Sequence, residues 1–416
     1  MKFGINTLDD FDFKSKTVLV RLDLNSPYNK DKDCLKDITR ISAAIPTIKE
    51  LSDKGAKLVL MSHQGGDLEY KNFVSTSHHA IELSNLLGKN VIFIDDICGP
   101  AARVSIKNLK DGQILLLDNV RYMAEEMTLF ETKLKLSSED QAKTIVVKKI
   151  APLGDIYVCD AFAASHRNQP TLVGFEELLP SAMGRLFEKE YEILSKIMTR
   201  PDKPCLFLLG GAKVEDTFLM LNAVLGNSIA DEVLCGGLAA QVFLISMGKK
   251  LGEVSEAVIY GKKLEPYIEM AKVILEKYSD KIILPSDFAY SENGRFEINA
   301  SALPTDKMIS DIGSKSVSFY KDKLSKAKTV FINGPTGIFE EKDSEYSTKE
   351  LWNHIANLKI FSVIGGGDSI TAVNKYNLKN SFSYICTGGG AMVRFLSGEE
   401  LPVVKALKKS AQKFKK

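Results

Sequence analysis

Two groups of residues have types and spacing suited to holding anions. In the second half of the chain, glycines follow short apolar runs. Gly210-Gly211 precedes Lys213, Gly236-Gly237 follows Cys235, and Gly365-Gly366-Gly367 precedes Asp368 and Ser369; Gly388-Gly389-Gly390 repeats the pattern. Glycine frees the backbone and leaves N–H groups uncovered. The opening of a helix carries unpaired N–H groups and partial positive charge, so each turn of this kind suits a phosphate. Asp368 or Ser369 can cap the helix that follows. A single strand-to-helix glycine turn needs no ligand to explain it. Several on successive strands of a parallel sheet share one rim, where ligands of such sheets bind, and together they read as a nucleotide site. The Gly365–Gly367 turn is not a Walker A loop, because no Gly-Lys-Ser/Thr follows, and it lacks the third glycine of a dinucleotide fingerprint.

The first half carries a different chemistry. Arg21, Asp23, Asn25, His63, Arg121, His166 and Arg167 each fall at or just after an apolar, strand-like run, and Arg40 lies near the start of a helix, off its apolar stripe. One arginine after a strand is ordinarily a surface residue. Here arginines and histidines recur at successive strand ends, which converge in a parallel sheet, and a guanidinium fork suits carboxylate and phosphate. The set reads as a site for a small, multiply anionic ligand. His78 and His79 lie in a polar stretch and read as solvated, and Asp95-Asp96 reads as a surface loop rather than a metal site.

The elements that must position these residues alternate. Apolar runs at 17–21, 57–61, 91–94, 114–117 and 156–159 are separated by helical patterns at 38–51, 76–87, 100–109 and 139–150. The alternation resumes after 200, with runs ending at Leu209, Cys235, Ile332, Ile364 and Cys386 and helices that include 261–278. Residues 180–198 form one helical run between the halves. The expected fold is therefore α/β, with two doubly wound, Rossmann-like parallel-sheet domains. The expected boundaries are 1–180 for the acidic-substrate domain, 181–199 for an interdomain hinge helix, 200–400 for the nucleotide domain and 401–416 for a helical tail with a solvated lysine-rich face.

With 416 residues, the chain is long enough for such a division. A formal net charge of +2 argues against a nucleic-acid partner, and no apolar run is long enough for a membrane helix. The six cysteines include no CxxC pair and read as reduced residues of a cytoplasmic protein.

At this point the sequence resembles the phosphoglycerate kinase family over nearly its whole length. Val20-Arg21-Leu-Asp23-Leu-Asn25-Ser-Pro27 is similar to that family's opening signature. Thr39-Arg40, Ser62-His63-Gln64-Gly65, Asn119-Val-Arg121 and Asp160-Ala-Phe through His166-Arg167 match its acidic-substrate site. Gly210-Gly-Ala-Lys213, Asn333-Gly-Pro-Thr-Gly-Ile-Phe-Glu340, Gly365 to Ser369 and Thr387 to Gly390 match its nucleotide site. The Ser-His-Gln-Gly wording resembles the archaeal branch. Two positions depart from the pattern: Gly66 stands where an arginine is usual, and Thr217 where many members carry a second lysine.

The resemblance implies reversible phosphoryl transfer between 1,3-bisphosphoglycerate with ADP and 3-phosphoglycerate with ATP, with Mg²⁺, in glycolysis or gluconeogenesis. It implies that Arg40 contacts the transferring group, with Lys213 opposite it. Arg21, Asp23, Asn25, His63, Arg121, His166 and Arg167 would hold the glycerate, and Glu340 the ribose. Gly210, Gly211, Gly236 and Gly237 would flank adenine. N–H groups at Gly365, Gly366, Gly367, Ser369 and Gly389 would stabilise phosphate, with Asn333 beside them, and Asp368 would orient the metal. A monomer is expected rather than a dimer. A nicotinamide dehydrogenase on the same sheet would want a complete Gly-x-Gly-x-x-Gly, and a non-catalytic phosphate sensor would have no use for Lys213 and Asp368 facing Arg40.

Overall fold

The strand Thr17–Arg21 is buried along almost its whole length, as its β-branched run requires at the centre of a parallel sheet covered on both faces. The computed structural model describes residues 1–66 and 72–415. The chain divides into two compact units, Met1–Glu192 with Glu400–Lys416, and Ile193–Glu399.

In the first unit a six-stranded parallel sheet runs in the order Val91–Ile94, Ile114–Leu117, Lys57–Met61, Thr17–Arg21, Ile156–Cys159, Ser181–Met183. Val18, Val20, Leu58 and Leu60 meet Ile41, Ile48 and Leu51 of the helix Thr39–Asp53 in one core. The helical periodicity at 38–51 is thus the face that covers the sheet.

In the second unit a six-stranded parallel sheet runs Ile282–Ile283, Glu232–Cys235, Cys205–Leu209, Thr329–Asn333, Phe361–Gly365, Tyr384–Cys386. Its core joins Leu206, Leu208, Val330 and Ile332 to Trp352 and Ile355. Because all six strands are parallel, the glycine turns that follow them lie along one rim.

Several details differ from expectation. Residues 180–198 are not one helix: Ser181–Met183 pairs with Tyr157–Cys159 as an edge strand, and the helix is Arg185–Thr199. Gly184 marks the break, since a Cβ there would lie 2.3 Å from Asp160 Oδ1. The two units part inside this helix, after Glu192. The 139–150 run splits into Ser138–Gln141 and Ile145–Ile150, and 261–278 into Glu253–Gly261 and Glu265–Tyr278. A small antiparallel sheet of Arg295–Asn299, Asp287–Ser291 and Asp311–Ile312 was not anticipated.

The helix Pro402–Lys413 belongs to the first unit and is no free tail. It buries Val403, Val404, Leu407 and Ala411, its Lys409 pairs with Glu177 at 2.7 Å, and its Val403 N–H donates to Ser165 O at 3.2 Å. Apolar residues at helical spacing supply the packing face, so the lysine-rich face is only part of its role.

Candidate active site

The residues singled out in the first unit gather at the carboxyl ends of neighbouring strands. Arg40, in the first turn of Thr39–Asp53, donates from Nη1 to Asp23 Oδ2 at 2.7 Å. Asp23 is 7% exposed, and its loop is closed by the Asn25 N–H donating to Oδ1 at 3.1 Å. Burial alone pushes this carboxyl up, but Arg40, His63, the Asn25 N–H and Arg21 together bring it down to about 2. Asn25 in turn accepts from the Gly65 N–H at 2.9 Å.

His63 follows the strand Lys57–Met61, with Nδ1 3.3 Å from Arg21 Nη2 and Nε2 4.0 Å from Asp23 Oδ1. Desolvation holds it well below its ordinary value, against the pull of Asp23, with Arg21, Arg121 and Arg40 adding to the effect. It is therefore neutral at neutral pH. Arg121 is buried and donates to Gly65 O, so it reaches the loop just before Gly66.

Arg21 is placed differently from its neighbours. It is fully buried, and it donates from Nε to Thr171 Oγ1 at 2.9 Å and from Nη1 to Leu22 O. Thr171 also binds the buried carboxylate of Glu126, through N–H at 2.7 Å and Oγ1 at 2.9 Å. Arg21 thus braces His63 from behind. His166 and Arg167 follow the turn Phe162–Ala164, half-buried, and Arg167 donates to Thr128 Oγ1 with Glu131 Oε2 at 3.8 Å.

Gln64 supports the cluster from below, and its wiring was not anticipated. Its Oε1 accepts from the Ser26 N–H at 2.9 Å and lies 3.0 Å from His79 Nε2, and its Nε2 donates to Ser26 O at 2.8 Å. His79 is accordingly not solvated. It is fully buried, and desolvation first, then His78, lower it to about 4, so it is a neutral donor to Gln64. Asn119 ties the same loop through Nδ2 to Gln64 O at 2.8 Å. Asp96 caps the helix Pro100–Lys107, accepting from the Gly99 and Ala102 N–H groups.

In the second unit the glycine turns interlock. Gly210 N–H donates to Asn333 O at 2.9 Å, Gly211 N–H to Pro335 O at 2.6 Å and Gly237 N–H to Thr336 O at 3.0 Å. A Cβ on Gly210 would meet Pro335 O at 2.3 Å, so the close approach requires glycine.

Two recesses lie along this rim. The larger, about 270 Å³, is walled by Leu238, Phe288, Ile309, Pro335, Ile338 and Phe339, with Glu340 also in its lining. The smaller, about 60 Å³, is polar and lined by Gly210, Gly211, Lys213, Asn333, Gly366, Gly367, Asp368, Ser369 and Gly389. The two share Gly211, Ala212 and Asp368. Lys213 and Asp368 are exposed on the groove, whereas Ser369 is buried and accepts from the Gly334 N–H at 2.9 Å. Gly236 falls just outside the lining, and a Cβ there would meet Thr336 Cγ2 at 2.6 Å. Thr217 is buried in the helix Val214–Gly226 and presents nothing to the groove.

An apolar recess continuous with a groove of backbone N–H groups, a lysine and a carboxylate has the chemistry of a nucleoside site joined to a phosphate site.

The likeness to known proteins points the same way. A family model described as phosphoglycerate kinase matches residues 8–399. The phosphoglycerate kinase of Methanothermus fervidus is 41% identical over 412 residues, 99% of this chain and 98% of the relative. That of Methanobacterium bryantii is 42% identical over 417 residues, 100% of both. The crystal structure of phosphoglycerate kinase from Pyrococcus horikoshii is 40% identical, with a TM-score of 0.90 over 99% of this chain and 100% of that one. The structure of phosphoglycerate kinase from Coxiella burnetii is 28% identical, with a TM-score of 0.81 over 98% of this chain and 100% of that one.

Proposed function

This chain belongs to the phosphoglycerate kinase family, and on that premise we propose how its own residues divide the work. The protein is a phosphotransferase with a carboxyl group as acceptor. It moves a phosphoryl group reversibly between 1,3-bisphosphoglycerate with ADP and 3-phosphoglycerate with ATP, a reaction of glycolysis and, reversed, of gluconeogenesis. The observation that carries the residue-level reading is the continuity of the apolar recess with the polar groove through Gly211, Ala212 and Asp368.

The nucleotide base lies in the apolar recess between the Gly210–Gly211 and Gly236–Gly237 turns. Glu340 accepts from the ribose hydroxyls. The phosphates run along the groove, held by Lys213, Asn333 and the N–H groups at Gly365, Gly366, Gly367, Ser369 and Gly389. The glycerate binds on the first unit, held by Asp23, Asn25, His63, Arg121, His166 and Arg167, with Arg21 bracing His63. Arg40 meets the transferring phosphoryl group.

In the gluconeogenic direction the acceptor is a carboxylate, ionised at neutral pH because carboxyls titrate near ~4, so its attack needs no base. The neutral state of His63 agrees with a binding and orienting role rather than proton transfer. What remains for the protein is in-line positioning and neutralisation of charge on the transferring oxygens, which arginine and lysine supply.

Asp368 suits Mg²⁺. Among the described residues no cluster of three or more His, Cys, Asp or Glu could hold a metal. An ion beside Asp368 would therefore take its other oxygens from the nucleotide phosphates and water, the manner in which magnesium is commonly held. Bound there, it would offset the negative charge of the phosphates.

No helix among the described residues is long and apolar enough to cross a membrane. We place the protein in the cytoplasm as a monomer, with no nucleic-acid partner. Incubation with ATP, Mg²⁺ and 3-phosphoglycerate tests the reading: ADP must form only when all three are present. ADP release independent of 3-phosphoglycerate would sink it.

A further inference from the structure

The loop that runs from Asn333 to Glu340 is fastened twice by one helix, Gly367–Lys375. At the helix start, Ser369 Oγ accepts from the Gly334 N–H at 2.9 Å. At its end, Lys375 Nζ donates to Phe339 O at 2.6 Å. The two fastening residues are six positions apart, roughly 9 Å of helix at 1.5 Å per residue.

The second fastening acts on a particular bond. Phe339 O belongs to the peptide whose N–H is that of Glu340. A peptide unit is planar, so holding its carbonyl fixes the direction in which the chain enters Glu340. Phe339 itself is 4% exposed and packs in the core, whereas Glu340 is exposed and lines the nucleoside recess. The middle of the loop is held by other groups: Thr348 Oγ1 accepts from the Thr336 and Gly337 N–H groups, and Ser310 O from the Ile338 N–H. Past Ile338, Lys375 is the side chain that fixes the Phe339–Glu340 peptide.

Lys375 is itself held in place. Its Nζ lies 2.6 Å from Glu345 Oε2, which also accepts from Tyr376 Oη at 3.3 Å. Glu345 is 17% exposed in its side chain, so the pair is only partly screened by water. The ammonium is thus held between Phe339 O and the carboxylate of Glu345, which stands at the N-cap of the helix Tyr346–Ala356.

We propose that Lys375 is a positioning residue for ribose recognition. It aims Glu340, and through its helix it links the ribose end of the nucleotide site to the phosphate end at Asp368 and Ser369. The inference rests on the ribose role given to Glu340 above.

The test compares ATP with 2′,3′-dideoxy-ATP as donor to 3-phosphoglycerate, in the wild-type protein, E340A, K375M, K375R and the E340A/K375M double variant. If Glu340 reads the ribose, E340A, which removes the acceptor, loses the wild-type preference for ATP. K375M is expected to raise KM for ATP about tenfold at nearly unchanged kcat, the signature of lost uniform binding, and to lose the same preference. The double variant should then discriminate no worse than E340A alone, because the two residues act as one unit. K375R, which keeps a donor for both Phe339 O and Glu345, should restore the preference. An E340A protein that still prefers ATP would sink the ribose role and this inference with it. If E340A loses the preference while K375M keeps it, the ribose role stands and the positioning role of Lys375 is wrong. A K375M protein that loses kcat and affinity for both nucleotides equally, or a K375R protein no better than K375M, also overturns it.

Discussion

Arg40 Nη1 lies 2.7 Å from Asp23 Oδ2, so the guanidinium proposed for the transferring phosphoryl group is aimed by a carboxylate held near a pKa of about 2. Removing Arg40 should therefore cost far more in turnover than in ground-state binding of 3-phosphoglycerate. An arginine that stabilises transition-state charge in phosphoryl transfer can be worth ~10³–10⁵ in rate. Asp23→Asn should lower turnover less, since the guanidinium stays but loses its aim. Steady-state kinetics of Arg40→Ala within about tenfold of wild type would show that Arg40 only binds.

Asp368→Ala should impair use of Mg²⁺-nucleotide and spare 3-phosphoglycerate. The carboxylate lies exposed at the opening of a helix that otherwise favours phosphate, an arrangement a bound cation would reconcile. Calorimetry with each ligand alone decides the matter. Equal loss of both ligands would mean that Asp368 serves the fold rather than the nucleotide.

Asp160 makes stability depend on pH. Its carboxyl is 1% exposed at the end of Ile156–Cys159, with Oδ1 accepting from the Phe187 N–H at 3.0 Å, and burial raises it to about 7 despite that bond. The folded state therefore holds this proton more tightly than the unfolded chain, whose carboxyl titrates near ~3.9. Below about pH 4 both states are protonated and nothing is lost. Between about pH 4 and 7 stability falls as pH rises, by up to ~4 kcal/mol at 1.36 kcal/mol per pH unit, and above that window the loss is complete. Asp160→Asn should thus gain on the wild type in urea unfolding as pH rises through this window. Unfolding midpoints that keep a constant separation at acid, neutral and alkaline pH would remove Asp160 as the cause.

The two substrates are proposed to bind on different compact units, yet reacting atoms must come within about 3–3.5 Å. The units should therefore rotate together about the ends of the helix Arg185–Thr199, where Gly184 and Pro201 offer discontinuities. Each ligand alone should act only partly, because the full set of contacts needs both. Small-angle scattering without ligand, with each ligand and with both should give its smallest radius of gyration in the ternary sample. A constant radius across the four rules the rotation out.

How much could be read from residues alone depended on what holds each element. The parallel strands were legible because apolar, β-branched runs such as Val18–Val20 and Val330–Ile332 are buried whatever their neighbours do. Ser181–Met183 was not, because it is a strand only through its pairing with Tyr157–Cys159, and its small residues continue a helical pattern. The hairpin of Asp287–Ser291 and Arg295–Asn299 was hidden because its second strand is exposed or half-exposed throughout and carries charged residues, although Asp287, Phe288 and Ala289 of the first are buried. In the site, the residues at strand ends were visible in their motifs. The supports behind them were not: Gln64 meets His79, and Thr171 joins Arg21 to Glu126, through packing between distant segments. His79 was misread because its polar neighbours in sequence say nothing of the side chains folded over it.

The placement of Pro402–Lys413 on the first unit bears on how the protein is made. A ribosome releases Met1–Glu192 early, but the helix that covers Phe175–Glu177 and Ser181–Met183 emerges only after the whole of Ile193–Glu399. The second unit is contiguous and can fold as it leaves the tunnel. The first must wait with part of its apolar surface uncovered, including the side of the turn that carries His166 and Arg167. Synthesis order and completion order are thus reversed, and the nascent first unit is the stretch a chaperone would need to shield longest.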